Sequence, residues 1–122
     1  MNPRELSERL LDYGARIIKV TEAMPSTVAG RRIGDQLLRC GTSVGANYEE
    51  AQGAESRADF AHKLQVALKE LREANYWLLL LSKAKILPHG KLETLIDESN
   101  QLTAILSKAV ATAKGKAKAA HV

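Results

Sequence analysis

The sequence predicts an all-α fold, an up-down-up-down four-helix bundle that spans residues 1–113. Three observations lead to this fold class. Apolar residues make up 45% of the chain but aromatic residues only 4%, a composition that suits helices because strands favour aromatic residues. Apolar positions recur at alternating steps of four and three residues, the spacing of one face of a packed helix. The prolines, Pro3, Pro25 and Pro88, stand where a helical chain can be divided.

The first predicted helix covers residues 3–23. Its inward face is formed by Leu6, Leu10, Tyr13, Ile17, Val20 and Met24. Pro25 ends this helix because the residue before a proline avoids the α-helical region. Ser26 is then the expected N-cap of the next helix.

The second predicted helix covers residues 27–51 and is rich in glycine. Its inward face comprises Ile33, Leu37, Cys40, Val44, Asn47 and Ala51. An interior glycine costs a helix about 1 kcal/mol relative to alanine, and this segment has four: Gly30, Gly34, Gly41 and Gly45. Either the helix breaks near residues 41–43, or the small residues let a neighbouring helix approach closely. The unbroken inward face favours a continuous helix, with Gly41 and Gly45 at a close contact.

The third predicted helix begins after Ser56, which is its expected N-cap. Asp59 lies three residues further on, an arrangement similar to a capping box. The helix is expected to end near Leu87, and its inward face carries Phe60, Leu64, Ala67, Leu71, Ala74, Leu78 and Leu81.

The fourth predicted helix follows the stop at residues 88–90 and runs from Lys91 to about Ala113. Its inward face uses Leu92, Leu95, Ile96, Leu102, Ile105, Leu106 and Ala109. Residues 114–122 are rich in lysine and alanine and are expected to form a flexible tail.

The positive charge of the chain lies mainly near its end. The net charge is +4 and the isoelectric point is about 9.3. From residue 108 onward there are no acidic residues and four basic ones: Lys108, Lys114, Lys116 and Lys118. Removing these four from the 18 basic residues leaves 14, which equals the 14 acidic residues. The basic isoelectric point therefore does not by itself predict a nucleic-acid-binding body.

The sequence predicts a cytoplasmic protein that does not contact a membrane. Its lone cysteine, Cys40, cannot form an internal disulfide, which is typical of a reducing compartment. The first residues are charged and amphipathic, unlike a secretory signal. The longest strongly apolar run, residues 77–81, is far too short to span a membrane.

No residue pattern predicts an enzyme, a metal site or a cofactor. The three histidines, His62, His89 and His121, are far apart in sequence. A di-iron bundle needs a Glu-x-x-His unit on each of two helices, whereas this chain has one Asp59-x-x-His62 pair. Cys40 lies on an inward face, which indicates a small buried hydrophobe rather than a nucleophile. We therefore expect no catalytic residues and no cofactor.

One end of the predicted bundle gathers positive charge. The first and third turns of an up-down bundle share an end, and its basic residues are Lys19, Arg31, Arg32, Lys83, Lys85 and Lys91. These side chains either form an ordinary solvated rim or contact phosphates. On the second interpretation, the candidate nucleic-acid-binding residues are Arg31, Arg32, Arg39, Lys83, Lys85, Lys114, Lys116 and Lys118.

Asn47 is a polar residue on the inward face of the second helix, with Glu50 one turn further on. A buried amide can fix register or partner choice in a helical assembly. Alternatively, Asn47 lies on a helix flank and Glu50 is an ordinary surface acid. Together with Gly41 and Gly45, these residues are the candidates for packing and oligomer specificity.

Residues 36–50 resemble the signature of the four-helix-bundle proteins encoded in intervening sequences of bacterial 23S rRNA genes. The segment reads QLLRCGTSVGANYEE, and the family pattern reads Q-L-x-R-A-x-x-S-V-x-x-N-I-A-E-G. The family's Ser-x-x-(Asp/Glu)-Phe start of helix three is similar to residues 56–60, and residues 67–74 resemble the element that follows. The chain departs from the pattern at residues 48–51, so Gly53 is expected to supply the turn.

The resemblance covers about residues 5–107, and it implies functional properties that composition and spacing do not. It implies a ring-like homo-oligomer, commonly a pentamer, without enzymatic activity and associated with nucleic acid. A related group serves as accessory subunits that bind a reverse transcriptase and RNA. The leading hypothesis is thus an accessory factor that contacts RNA or DNA phosphates. The alternative is a protein-binding scaffold that uses exposed side chains such as Tyr76 and Trp77.

Overall fold

The computed structural model describes residues 1–120 and confirms the all-α four-helix bundle. Its helices are α1 (Pro3–Glu22), α2 (Val28–Gln52), α3 (Arg57–Lys83) and α4 (His89–Ala120). Each helix packs against its neighbours in sequence, and α1 also contacts α4, which closes the bundle. His121 and Val122 lie outside the described residues.

Three helices begin at a side-chain cap. Asn2 Oδ1 accepts a hydrogen bond from the Glu5 amide (2.9 Å), and Ser56 Oγ accepts one from the Asp59 amide (3.0 Å), as predicted for α3. The prediction of Ser26 as the cap of α2 was wrong. Thr27 takes this place because its backbone is extended and its Oγ1 accepts a bond from the amide three residues on (3.0 Å).

The core is aliphatic, with one tyrosine in its centre. Leucines from all four helices dominate it, and Leu37, Leu71 and Leu102 are among those with no exposed surface. Tyr13 is also completely buried, and its hydroxyl lies 3.0 Å from Ser99 Oγ, which is equally buried. The hydrogen bond is needed because a buried hydroxyl without a partner is costly.

Helix α2 is continuous through residues 41–43, as the unbroken inward face predicted. Gly41 is buried against α1: a Cβ atom here would lie 2.7 Å from Ile17 Cγ2 and 2.8 Å from Ile17 Cγ1. Gly30 is equally constrained, because its Cβ would lie 2.2 Å from the Pro25 carbonyl oxygen. These glycines permit close approach, whereas Gly45 would make only ordinary contacts at 3.5 Å.

The inward face of α2 differs from the prediction at one position. Tyr48 is buried and takes the place that had been assigned to Asn47, which is half-buried on the flank of the helix. Both positions follow Val44 at helical spacing, so the step of four residues replaces the step of three.

The connection between α3 and α4 begins earlier than predicted, since α3 ends at Lys83 rather than near Leu87. Lys85 has φ of 56°, a left-handed conformation. Its amide donates to the Ser82 carbonyl (3.1 Å), and the Ile86 amide donates to the Leu81 carbonyl (3.0 Å). This pair of bonds is a Schellman motif, which terminates the helix.

Helix α4 is longer than predicted at both ends. It begins at His89, directly after the proline, and continues to Ala120 rather than ending near Ala113. Alanine and lysine are strong helix formers, and Ala117 still packs against the core, so residues 114–120 continue the helix instead of forming a separate tail.

Candidate functional site

Four predicted phosphate-contacting residues lie at the end of the bundle where the first and third turns meet. Arg31 and Arg32 are in the first turns of α2, Lys83 is the last residue of α3, and Lys85 is in the following loop. All four are exposed, and none makes an ion pair within residues 1–120. Arg31 Nη1 donates a hydrogen bond to the Ser26 carbonyl (2.8 Å). We call these four residues the basic end.

Arg39 is not part of the basic end. It lies in the middle of α2, where its guanidinium forms ion pairs with Glu70 (3.1 Å) and Glu73 of α3. The Trp77 indole also donates a hydrogen bond to Glu73 (3.0 Å). The hydrogen bonds from Trp77 and from Arg39 lower the pKa of the Glu73 carboxyl group. Arg39 therefore cross-links α2 and α3, and two carboxylates balance its charge. Trp77 is partly buried by this arrangement rather than exposed, unlike Tyr76.

The remaining predicted phosphate contacts, Lys114, Lys116 and Lys118, are exposed near the C-terminal end of α4. This is the opposite end of the bundle from the basic end, because α4 starts beside Lys85 and has 32 residues. Lys116 and Arg57 line an apolar cleft of about 770 Å³ between α4 and the first turns of α1 and α3. The structure thus divides the predicted nucleic-acid-binding set into two groups at opposite ends of the bundle, with Arg39 between them.

The polar residues of the helix-two motif form a stripe along one side of α2. Gln36 Oε1 accepts a bond from Arg39 Nη2 (3.1 Å), and Ser43 Oγ donates to the Arg39 carbonyl (2.6 Å). Asn47 Nδ2 donates to the Ser43 carbonyl (2.9 Å). These bonds keep the side chains on their own helix, and Glu50 is exposed one turn beyond. The structure therefore favours the helix-flank interpretation of Asn47.

The lone cysteine of the chain lies in the core of the bundle. Cys40 is completely buried, and burial raises the pKa of its thiol to about 12, so it stays protonated at neutral pH. In the part of the chain that the structure describes, no three His, Cys, Asp or Glu side chains are grouped to hold a metal ion. No helix among residues 1–120 combines the length and apolarity needed to cross a membrane.

Comparison with known proteins identifies the family. A sequence profile described as "23S rRNA-intervening sequence protein" matches residues 5–108. The chain belongs to the 23S rRNA-intervening sequence protein family. Its fold is similar to the crystal structure of a protein of unknown function from the S23 ribosomal protein family of Bacteroides thetaiotaomicron. The TM-score is 0.76 at 32% identity, over 86% of this chain and 97% of that one. None of the curated proteins matches the sequence.

This member of the 23S rRNA-intervening sequence protein family has a glycine at position 41 of the helix-two motif, where the nearness of Ile17 leaves no room for a methyl group. Gly53 follows the last residue of α2 as its C-cap, as predicted, but with φ of −100° it does not use a left-handed conformation.

Sequence reasoning missed the polar contacts between α1 and α4. Arg9 Nε donates to Glu98 Oε2 (3.0 Å), and Arg16 Nη2 donates to Thr94 Oγ1 (2.9 Å). Tyr13 and Ser99 pair beneath them in the core. The partners are 78 to 89 residues apart, so no local pattern could have linked them.

Proposed function

We propose that this chain is a cytoplasmic, non-enzymatic homo-oligomer that serves as an accessory factor and associates with RNA or DNA through phosphate contacts. A pentamer is the assembly that the family resemblance implies. The observation that supports phosphate binding is the basic end, where Arg31, Arg32, Lys83 and Lys85 are exposed and have no carboxylate partner among residues 1–120. Membership in the family supports the accessory role.

The basic end suits backbone recognition rather than base recognition. Its four side chains come from two different connections of the bundle, so they present positive charge over a surface instead of along one groove. Lysine and arginine contacts to phosphates add affinity without reading sequence. An oligomer repeats the basic end once per subunit, which multiplies weak contacts through effective concentration. We assign the phosphate contacts to the basic end and not to the lysines of α4.

Affinity for RNA and for duplex DNA, measured against salt concentration, tests this proposal. In the variant Arg31→Ala, Arg32→Ala, Lys83→Ala, Lys85→Ala, we expect weaker binding and a salt slope shallower by roughly 3 if four contacts to single-stranded RNA are lost. The matched control removes four other cations, through Arg4→Ala, Arg57→Ala, Lys69→Ala and Arg72→Ala. Equal loss in both variants would refute a localised site, and no binding by the wild type at low salt would refute nucleic-acid association.

The second candidate function is a protein-binding scaffold, or an accessory subunit of a protein such as a reverse transcriptase, without direct nucleic-acid contact. Exposed apolar side chains favour it: Leu11 is 70% exposed and Tyr76 58% exposed. Light scattering of the purified chain tests the homo-oligomer that both candidates share, and a monomer at micromolar concentration would contradict it. An oligomer that binds no RNA or DNA at low salt would favour the scaffold.

A further inference from the structure

An apolar groove runs along the outer surface between α1 and α2. Its volume is about 640 Å³, and Leu11, Ile18, Ala15, Gly45 and Ala46 are among its lining residues. Leu11 is 70% exposed and Ile18 42% exposed, although both are large apolar side chains. An exposed apolar surface of this kind marks an interaction site more often than ordinary surface.

Gly14 lies in the same groove, in the middle of α1. A Cβ atom at this position would meet no atom within 4 Å, so nothing inside the chain requires glycine. Glycine nevertheless lowers the stability of a helix interior relative to alanine. A contact from outside the chain would explain it, because a glycine lets a partner helix approach the α1 backbone closely.

The ionisable side chains that line the groove are both acidic. Asp12 is contributed by α1 and Glu49 by α2, and both are exposed. A complementary partner would therefore be a narrow helix with small side chains on its contact face and positive charges beside them.

The C-terminal end of α4 has these properties. Ala111, Gly115 and Ala119 are exposed and spaced four residues apart, so they form one narrow face of the helix. Lys114 and Lys118 are exposed beside this face. Gly115 resembles Gly14 in that a Cβ atom would meet nothing within 4 Å. The charge and the small residues of this face both match the groove.

We propose that the groove between α1 and α2 binds the 111–119 face of α4 from a second copy of the chain. In this contact Lys114 and Lys118 lie beside Asp12 and Glu49. The occupant belongs to another copy because α4 is one continuous helix that packs against α1 and α3 but not against α2. The proposal rests on the homo-oligomer proposed above and names its interface.

The two surfaces of this contact are different, so the interface is heterologous. A protomer that offers its α4 end to one neighbour still has its own groove available for another. Such contacts continue from copy to copy and close into a ring when the rotation between copies allows it. A symmetric dimer would instead use the same surface on both subunits.

Charge reversal in the full-length chain tests the interface by analytical ultracentrifugation. Lys114→Glu with Lys118→Glu, and separately Asp12→Lys with Glu49→Lys, should each raise the dissociation constant of the assembly roughly tenfold or more. All four changes in one chain should restore assembly, because the charges are complementary again. Lys69→Glu with Arg72→Glu is the matched control, because both residues are exposed on α3 and line neither the groove nor the α4 face, and it should leave assembly unchanged.

A second variant separates loss of contact from loss of folding. Gly14→Leu replaces glycine by a strong helix former at an open position, so the chain should keep its helical circular dichroism spectrum, while the larger side chain blocks the groove. We expect a folded chain with weakened assembly. If the wild type is a monomer, this interface and the proposed homo-oligomer both fail. If the wild type assembles and the charge variants and Gly14→Leu assemble equally well, only the interface fails.

Discussion

The closest contact between α1 and α2 gives a sharp test of how the bundle is packed. Replacing Gly41 by alanine adds one methyl group, which would lie 2.7, 2.8 and 3.1 Å from three carbon atoms of Ile17. Ile17 has no exposed surface, and two of these carbons are bonded directly to its Cβ atom, so the side chain cannot move aside without displacing its neighbours or the helix.

Two opposing terms set the expected magnitude. Alanine stabilises a helix interior by about 1 kcal/mol relative to glycine. Overpacking a close-packed core costs about 1 to 3 kcal/mol. Because the overlap involves three atoms rather than one, we expect the cost to exceed the gain, and Gly41→Ala should lower the free energy of unfolding by about 1 kcal/mol.

Denaturant unfolding of two alanine variants at the same protein concentration provides the assay. Gly34 is the matched control because it is also buried in α2, but the nearest atom to its Cβ would be Met24 Cγ at 3.6 Å, an ordinary contact. Gly34→Ala should therefore raise the free energy of unfolding by up to about 1 kcal/mol. If both variants are stabilised equally, the packing argument at Gly41 is refuted.

Three further predictions concern Lys85, Asn75, and Tyr13 together with Cys40. Lys85→Gly should stabilise the chain by about 1 kcal/mol in thermal melts, because φ of 56° is unfavourable for lysine; Lys85→Ala should give no such gain. Among the described residues the buried Oδ1 atom of Asn75 has no hydrogen-bond partner, so Asn75→Leu should keep the free energy of unfolding or raise it by up to about 1 kcal/mol in denaturant unfolding, and a large loss would contradict this. Burial raises the pKa of Tyr13 and of Cys40 to about 12, above the ordinary values of 10.0 and 9.0. The contribution of these two groups to the free energy of unfolding is fully present below pH 9 and is lost as the pH rises towards 12. Tyr13→Phe with Cys40→Val should therefore reduce the loss of stability at high pH, as measured by circular dichroism.

The sequence was sufficient to predict the helices because most of their inward residues keep one spacing. In α2 it predicted the wrong inward residue where two spacings were equally good: from Val44, both Asn47 and Tyr48 lie on nearly the same side of the helix. The tyrosine is buried because it has the larger apolar surface.

The helix ends were harder to predict because the usual signals were missing. A Schellman motif normally shows a glycine in the left-handed position, and here Lys85 occupies it. Pro88 is the clearer stop signal in the sequence, so the sequence predicts that α3 ends near Leu87. At the C-terminal end of α4, the alanines of residues 114–120 favour a helix, and Ala117 packs against the core, which composition alone did not reveal.

The candidate site was only partly predictable, because charge can be counted from sequence but pairing cannot. Arg31 and Arg32 stay exposed beside a turn, whereas Arg39 is only seven residues further on and is bound by Glu70 and Glu73. Those acids belong to another helix, so the neutralisation of Arg39 follows from tertiary structure. Predicting the groove between α1 and α2 and the 111–119 face of α4 requires the same knowledge of tertiary structure, namely which surfaces remain uncovered.

The hydrogen bond between Tyr13 and Ser99 also selects how far α1 slides along α4. Leucine-rich surfaces tolerate several axial positions, since one aliphatic side chain packs almost as well as the next. A slide of one helical turn, about 5.4 Å, would separate the two hydroxyls and leave both buried without a partner. Each would then cost about 1 to 3 kcal/mol. The buried pair of Tyr13 and Ser99 in an aliphatic core thus favours one axial position of α1 relative to α4.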